Sequence, residues 1–222
     1  MISSFPDDRV KAYFSKYRLH EVYGFYHNIY EDEQLPLEFK ELEELALKVP
    51  VLNASKTIRK AVKGLNLPPY DSALQSLSYN QSIKLFALVC FLTNSYLFNE
   101  EPSIDILPTP LSTILYSVTK RLGTRPIMSY ICNTFWNTQI IDAGAPVELD
   151  NLKLRNTFTG NIGEEWFQLV SIANDIVGMR VLKNLIGAQE EIEKDNPAKV
   201  AEYLNKTLPD LGKRSFFNEH EC

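Results

Sequence analysis

At 222 residues with 45% hydrophobic side chains, the chain is long enough to bury a sizeable core, as one large domain or two modest ones. Its formal charge of -5 is spread along both halves, so no basic stripe invites nucleic acid and no polybasic cluster invites an anionic membrane. The three cysteines, Cys90, Cys132 and Cys222, form no CxxC pair and have no histidine at metal spacing, which excludes a disulfide framework and points to a reducing compartment.

The N-terminal "MISSFPDDRVKAYF" carries acids where a secretory signal needs a basic start and an apolar run, so a cytoplasmic protein is expected. In "PLEFKELEELALKV", Leu37, Leu42, Leu45 and Leu47 among charges predict a surface helix with one buried face, with Pro36 near its start and Pro50 past its end. A second helix is predicted in "NASKTIRKAVKGL", capped by Asn53 or Ser55 and ended by Gly64, ahead of a loop at "NLPPYDSAL". The most apolar run, Leu85 to Phe98, falls short of a membrane span of roughly 20 residues and is interrupted by Thr93, Asn94 and Ser95. It predicts a core helix.

Pro102, Pro108 and Pro110 make "NEEPSIDILPTP" a connector, after which "LSTILYSVTKRL" predicts a helix stopped by Gly123. Another helix is predicted in "RPIMSYICNTFWN", with Pro126 in its first turn. "TQIIDAGAPVELDNLKLRN" holds Gly144, Pro146 and the best alternation in the chain, so it predicts a short strand or two and a domain boundary near residue 150. Asn161 with Glu164 three residues on has the form of a capping box, and a long helix is predicted from there. Phe167 and Ser171, four apart, share one face of it. A last helix is predicted in "DNPAKVAEYLNKTL", with Asn196 as cap, Pro197 at its first position and an end before Pro209. Phe216 and Phe217, so near the end of the chain, read as residues that expect something to pack on.

Familiar catalytic and metal motifs are absent from the sequence. His20 and His27 lie seven apart in an aromatic-rich segment and His220 lies in a charged tail, and surface or packed histidines are the plainer reading of all three. "TGNIGE" has glycines near a helix start but neither a P-loop lysine nor a full GxGxxG, so it reads as a capping loop. From the residues alone, Ser171 is a helix serine bonded to a carbonyl one turn back, and Tyr130, Asn133 and Thr134 are core-facing groups with satisfied polar atoms.

Three stretches taken together say more. "ILPTPLSTILYSVTKRL", then "RLGTRPIMSYICNTFWN", then "LRNTFTGNIGEEWFQLVS" followed by a long helix, closely resemble the indoleamine 2,3-dioxygenase family, particularly its fungal members. Upstream, "YGFYHNIYEDEQLPLEF" is similar to that family's opening. The resemblance implies an all-α protein with a small N-terminal helical domain, here 1–150, and the first helices of a larger helical haem domain, here 151–222. It also implies haem b as cofactor, L-tryptophan and dioxygen as substrates, N-formylkynurenine as product, and a place in the kynurenine route to NAD. On these positions Tyr130 matches a tyrosine of the distal pocket, Asn133 and Thr134 match pocket-lining residues, Phe167 matches the aromatic that stacks by the indole, and Ser171 matches the distal serine. Gln168 falls where some members carry a second aromatic.

The family's proximal histidine, substrate-binding arginine and Gly-rich loop fall beyond the positions matched here. A truncated chain with no metal ligand of its own is therefore expected, catalytic only when completed. The alternative is a non-catalytic paralogue or helical module that associates with itself or with a complementing chain through exposed apolar helices.

Overall fold

The computed structural model describes residues 8–17, 19, 33–65, 71–142, 144–145 and 147–219, with 8–10, 71 and 213–219 described as backbone alone. Among them the fold is all-α, with one two-stranded hairpin. The chain forms two compact units, residues 28–169 and residues 1–27 with 170–222.

The 28–169 unit is built around its most apolar helix. A 3-10 turn over Leu37–Phe39 leads into α2 (Lys40–Leu47), α3 (Val49–Ala54) and α4 (Ile58–Lys63), the unit's first helices. α5 (Asp71–Ser76) precedes α6 (Tyr79–Phe98) and α7 (Thr109–Leu122) follows it. α6 starts at a capping box: the Ser78 hydroxyl accepts from Gln81 N at 3.0 Å, and Gln81 Oε1 accepts from Ser78 N at 2.9 Å. Leu85, Phe86, Val89 and Leu92 of α6 are fully buried with Phe39, Leu42, Ile58, Leu111 and Ile114 in one core cluster. At 20 residues α6 is longer than its apolar run, and it is the one described helix long and apolar enough to cross a membrane. Its burial on nearly every side by α2, α3, α4 and α7 makes it a core helix, an assignment its length could not make.

Several helix boundaries differ from the periodicity reading. Leu37 and Leu47 are exposed, and the buried stripe is Phe39, Leu42, Leu45, Ala46 and Val49, which keeps the three-and-four spacing that Leu37 and Leu47 break. Pro50 begins α3 rather than following a helix end, because a proline in the first turn gives up no intrahelical bond. Asn53 caps nothing; it is a buried residue of α3, and α4 begins after Thr57 without a side-chain cap. Gly64 does end α4, and Gly123, at φ +66°, ends α7 in a left-handed turn.

After α7 the chain is short-stepped. Instead of a helix begun at Pro126 there is one turn, α8 (Tyr130–Asn133), capped by Ser129, and a 3-10 turn over Phe135–Asn137. β1 (Thr138–Ile140) and β2 (Leu152–Leu154) pair antiparallel, with Gln139 opposite Lys153. α9 (Ile162–Glu193) then carries the chain from one unit into the other.

In the second unit α1 (Asp8–Lys16) lays Phe14 against Met179 of α9, with Leu19 and Ile186 around them. α9 turns into α10 (Pro197–Glu219) at a polar knot. Glu191 accepts from Lys194 Nζ and from Asn196 Nδ2, both at 2.9 Å, and Asn196 Oδ1 caps α10 by accepting from Lys199 N at 3.3 Å. Pro209 lies inside α10, where it forgoes one backbone bond. His20, His27, His220 and the side chains of Phe216 and Phe217 lie outside the described residues.

Candidate functional site

The two most distinctive sequence stretches, around α8 and before α9, are tied together by a pair of asparagines. Asn137, with no exposed surface, accepts at Oδ1 from Asn156 N at 2.9 Å and from Asn156 Nδ2 at 3.1 Å. Its own Nδ2 donates to Asn156 O at 2.8 Å, and Arg155 N donates to Asn137 O at 2.6 Å. The Asn137 side chain therefore satisfies both backbone groups of Asn156, and the end of the 3-10 turn is tied to the irregular loop that precedes α9.

The loop from Asn156 to Asn161 is held from both ends. Phe158 packs on Phe91 of α6 with ring centroids 4.5 Å apart, and Asn53 Nδ2 donates to Phe158 O at 3.0 Å. Gly160, at φ +67°, turns the chain so that the N–H groups of Phe158 and Thr159 converge on the Glu164 carboxylate, at 2.7 and 2.8 Å. Asn161 Oδ1 accepts from Glu164 N at 2.9 Å, the first half of the predicted capping box. In the second half Glu164 reaches past Asn161 to Phe158 and Thr159, because the left-handed glycine points those amides back at it.

α8 presents the other candidates. Tyr130 is 56% exposed at its start, its ring edge-on to Phe135 at 6.2 Å. Asn133 is half-buried, and its Oδ1 is shut away from water without accepting a hydrogen bond. Thr134 is buried and spends its hydroxyl on Tyr130 O at 2.7 Å, which leaves its methyl group and shape as what it offers a ligand. Beneath them Cys132 meets Cys90 of α6; the hydrogen bond between the thiols, with burial, pushes the Cys90 thiol far above its ordinary range. Both thiols are free and chemically quiet.

At the start of α9, Phe167 is 72% exposed, Trp166 is exposed beside it, and Gln168 is buried with Oε1 unpaired. Ser171, half-buried, follows Phe167 by one turn. Asn137, Asn156 and the long reach of Glu164 escaped the sequence reading, since nothing in their spacing marks them. The burial of Gln168 beside an exposed Phe167 escaped it too, since the sequence marks Gln168 only as standing where some family members carry a second aromatic.

Among the described residues no three His, Cys, Asp or Glu side chains gather to hold a metal ion. For haem, the exposed rings of Tyr130 and Phe167 are of the kind that an apolar wall for a planar macrocycle or an indole requires, while the chain's three histidines, the commonest axial ligands of haem iron, lie outside the described residues.

What fold and site define is an all-α protein with an exposed aromatic face where its longest helix begins. The chain belongs to the indoleamine 2,3-dioxygenase family, whose model matches residues 13–213. It is similar to the indoleamine 2,3-dioxygenase of Saccharomyces cerevisiae, 25% identical over 170 residues that make up 71% of this chain and 37% of that protein. A Penicillium citrinum indoleamine 2,3-dioxygenase is 26% identical over 195 residues, 86% of this chain and 43% of its own length. A protein of Haliotis madaka named myoglobin is 28% identical over 183 residues, 79% of this chain and 45% of its own length. The chain thus spans less than half the length of each of these relatives.

Proposed function

We propose that the protein serves the haem-dependent dioxygenation of L-tryptophan to N-formylkynurenine, and that this chain supplies part of the wall of the pocket for tryptophan and dioxygen. The observation that carries the reading is the family match over residues 13–213, whose two most distinctive segments are the ones Asn137 and Asn156 hold together. Haem b, when bound, would supply the iron that activates dioxygen. In this reading residues 1–150 correspond to the small helical domain and 151–222 begin the large one. The protein works in the cytoplasm, where the thiols of Cys90 and Cys132 stay reduced.

The chain's own residues act by shape and placement. Phe167 offers its exposed ring to the indole, and Tyr130 closes the wall beside α8. Asn133 Oδ1, unpaired and dry, accepts a donor from the substrate, and the Ser171 hydroxyl meets the substrate amine. Together they orient tryptophan and keep water from it.

The relative named myoglobin favours a second reading on the same scaffold: a module that binds its ligand, a second copy or a complementing chain without turnover.

Haemin titrated into the purified chain, followed in the Soret region with and without L-tryptophan, tests the first reading. With imidazole added to supply an axial ligand, a stoichiometric spectrum that shifts with tryptophan is expected, with the shift lost in Phe167→Ala while far-UV circular dichroism is unchanged. A shift that survives Phe167→Ala refutes the role of the ring. A chain that takes up haemin stoichiometrically and ignores tryptophan supports the second reading instead.

A further inference from the structure

A cavity of about 490 Å³ opens in the 28–169 unit, and its lining includes Pro50, Asn53, Asn94, Ser95, Phe98 and Phe158. None of the residues given a role in tryptophan binding lines it. Its size falls within the roughly 300–1,000 Å³ of small-molecule pockets. Among the described residues no ionisable side chain lines it, so they offer nothing to pair with a phosphate, a carboxylate or an ammonium group.

The polar atoms of the lining have a direction. Asn53 is only 8% exposed, and its Nδ2 is spent on Ser95 Oγ at 3.1 Å and on Phe158 O at 3.0 Å. Its Oδ1 is closed off from water and accepts nothing. Flipping the amide gives no relief, because the Phe158 carbonyl needs a donor there. Asn94, which also lines the cavity, is held in the same way, Nδ2 donating to Cys90 O at 2.9 Å, so that bond leaves its carboxamide oxygen unspent. The amides of Asn53, Asn94 and Asn99 in the lining thus each spend a donor inside the protein, that of Asn99 on Asn53 O at 2.9 Å. Its apolar surface is flat and aromatic, from Phe98 and Phe158 with the Pro50 ring beside them.

We infer that this cavity is a second small-molecule site, which takes a flat, uncharged aromatic compound and receives from it an O–H or N–H hydrogen bond. The ring lies against Phe98 and Phe158, and the donor meets the amide oxygen of Asn94 and, once the lining shifts to open it, that of Asn53. An unpaired buried amide oxygen that costs the empty protein free energy is thereby satisfied on binding.

Fluorine NMR on the full chain tests this with two probes, 4-fluorophenol and 4-fluoroanisole, in the second of which a methyl group replaces the donor proton. Saturable binding of the phenol is expected, with the anisole about tenfold weaker, the worth of one hydrogen bond to a buried acceptor. Phe98→Ala, at a residue 63% exposed and so no part of the core, should weaken the phenol several-fold. Phe167→Ala should leave it unchanged, which separates this site from the tryptophan wall whether or not that wall binds its own ligand. Equal affinity for the two probes, no saturable binding, or a loss in Phe167→Ala but not in Phe98→Ala overturns the inference.

Discussion

Gly160 is where the loop before α9 is most exposed to a single change. At φ +67° an alanine enters the left-handed region at a cost of about 1–2 kcal/mol. Its Cβ also arrives 3.1 Å from Pro50 Cβ and 3.4 Å from Pro50 Cγ. Those atoms belong to a ring on α3 and cannot rotate away, so the loop must lift, at a further cost of about 1–3 kcal/mol for overpacking. Gly123 provides the control: its φ is +66° and nothing stands within 4 Å of its Cβ, so Gly123→Ala carries the backbone cost alone.

Gly160→Ala should therefore destabilise by about 1–3 kcal/mol more than Gly123→Ala, or about 2–12 °C in melting temperature for a chain of this size. Thermal melts by circular dichroism give the difference. Hydrogen exchange should locate it, because lifting the loop strains the Asn53 to Phe158 bond and frees the amides of Phe158 and Thr159 from Glu164. Equal losses in the two variants, with those amides still protected, would show that the loop is not pinned against α3 and would refute the packing argument.

Asn137→Ala strips the Asn156 backbone N–H and C=O of their side-chain partner. Leaving two part-buried polar groups unpaired should cost about 2 kcal/mol in urea unfolding, and Asn137→Asp, which buries a carboxylate against the Asn156 carbonyl, should cost at least as much. Glu191 is held below the usual carboxylate range, first by its hydrogen bond to Lys194. A lowered native value means stability that is present above the unfolded carboxylate's pKa, about 4.3, and lost as pH falls through the native one. The α9–α10 unit should accordingly loosen as the pH is taken down past the unfolded carboxylate's pKa, and Glu191→Gln should flatten that dependence in melts compared along the acid series.

What was legible in the sequence followed from local chemistry. Gly123, Gly64, Asn161, Asn196 and Pro197 each act within a turn of their own position, and the structure uses each as spacing suggests. A short strand or two in the stretch after Thr138 was visible as alternation around Gly and Pro signals, and the structure adds that Thr138–Ile140 and Leu152–Leu154 pair with each other. The unread parts depend on distant partners. Asn53 has the composition of a cap, but its partners are Ser95, 42 residues away, and Phe158, 105 residues away. Leu37 and Leu47 look buried by type, yet Phe39 takes the core position and sets the phase of the stripe. Pro209 should end a helix by local rule, and α10 continues through it.

The start of α9 inverts the usual polarity of a helix, and this can be tested as an energetic statement. Phe167 keeps most of its ring in water, which forgoes about 1.5–3 kcal/mol of burial, while the neighbouring Gln168 is 4% exposed with its Oε1 unpaired, at about 1–3 kcal/mol. A helix under selection for stability alone would exchange the two. Gln168→Leu should therefore raise the melting temperature, since it replaces an unsatisfied amide with an apolar group of similar length. Phe167→Ser should move the melting temperature less than Gln168→Leu does, since the residue is 72% exposed. If Gln168→Leu destabilises instead, its amide has a partner whose loss is felt, and the inversion carries no functional argument. If both results hold, Phe167 and Gln168 are kept at a cost to the fold, as residues that meet a ligand are.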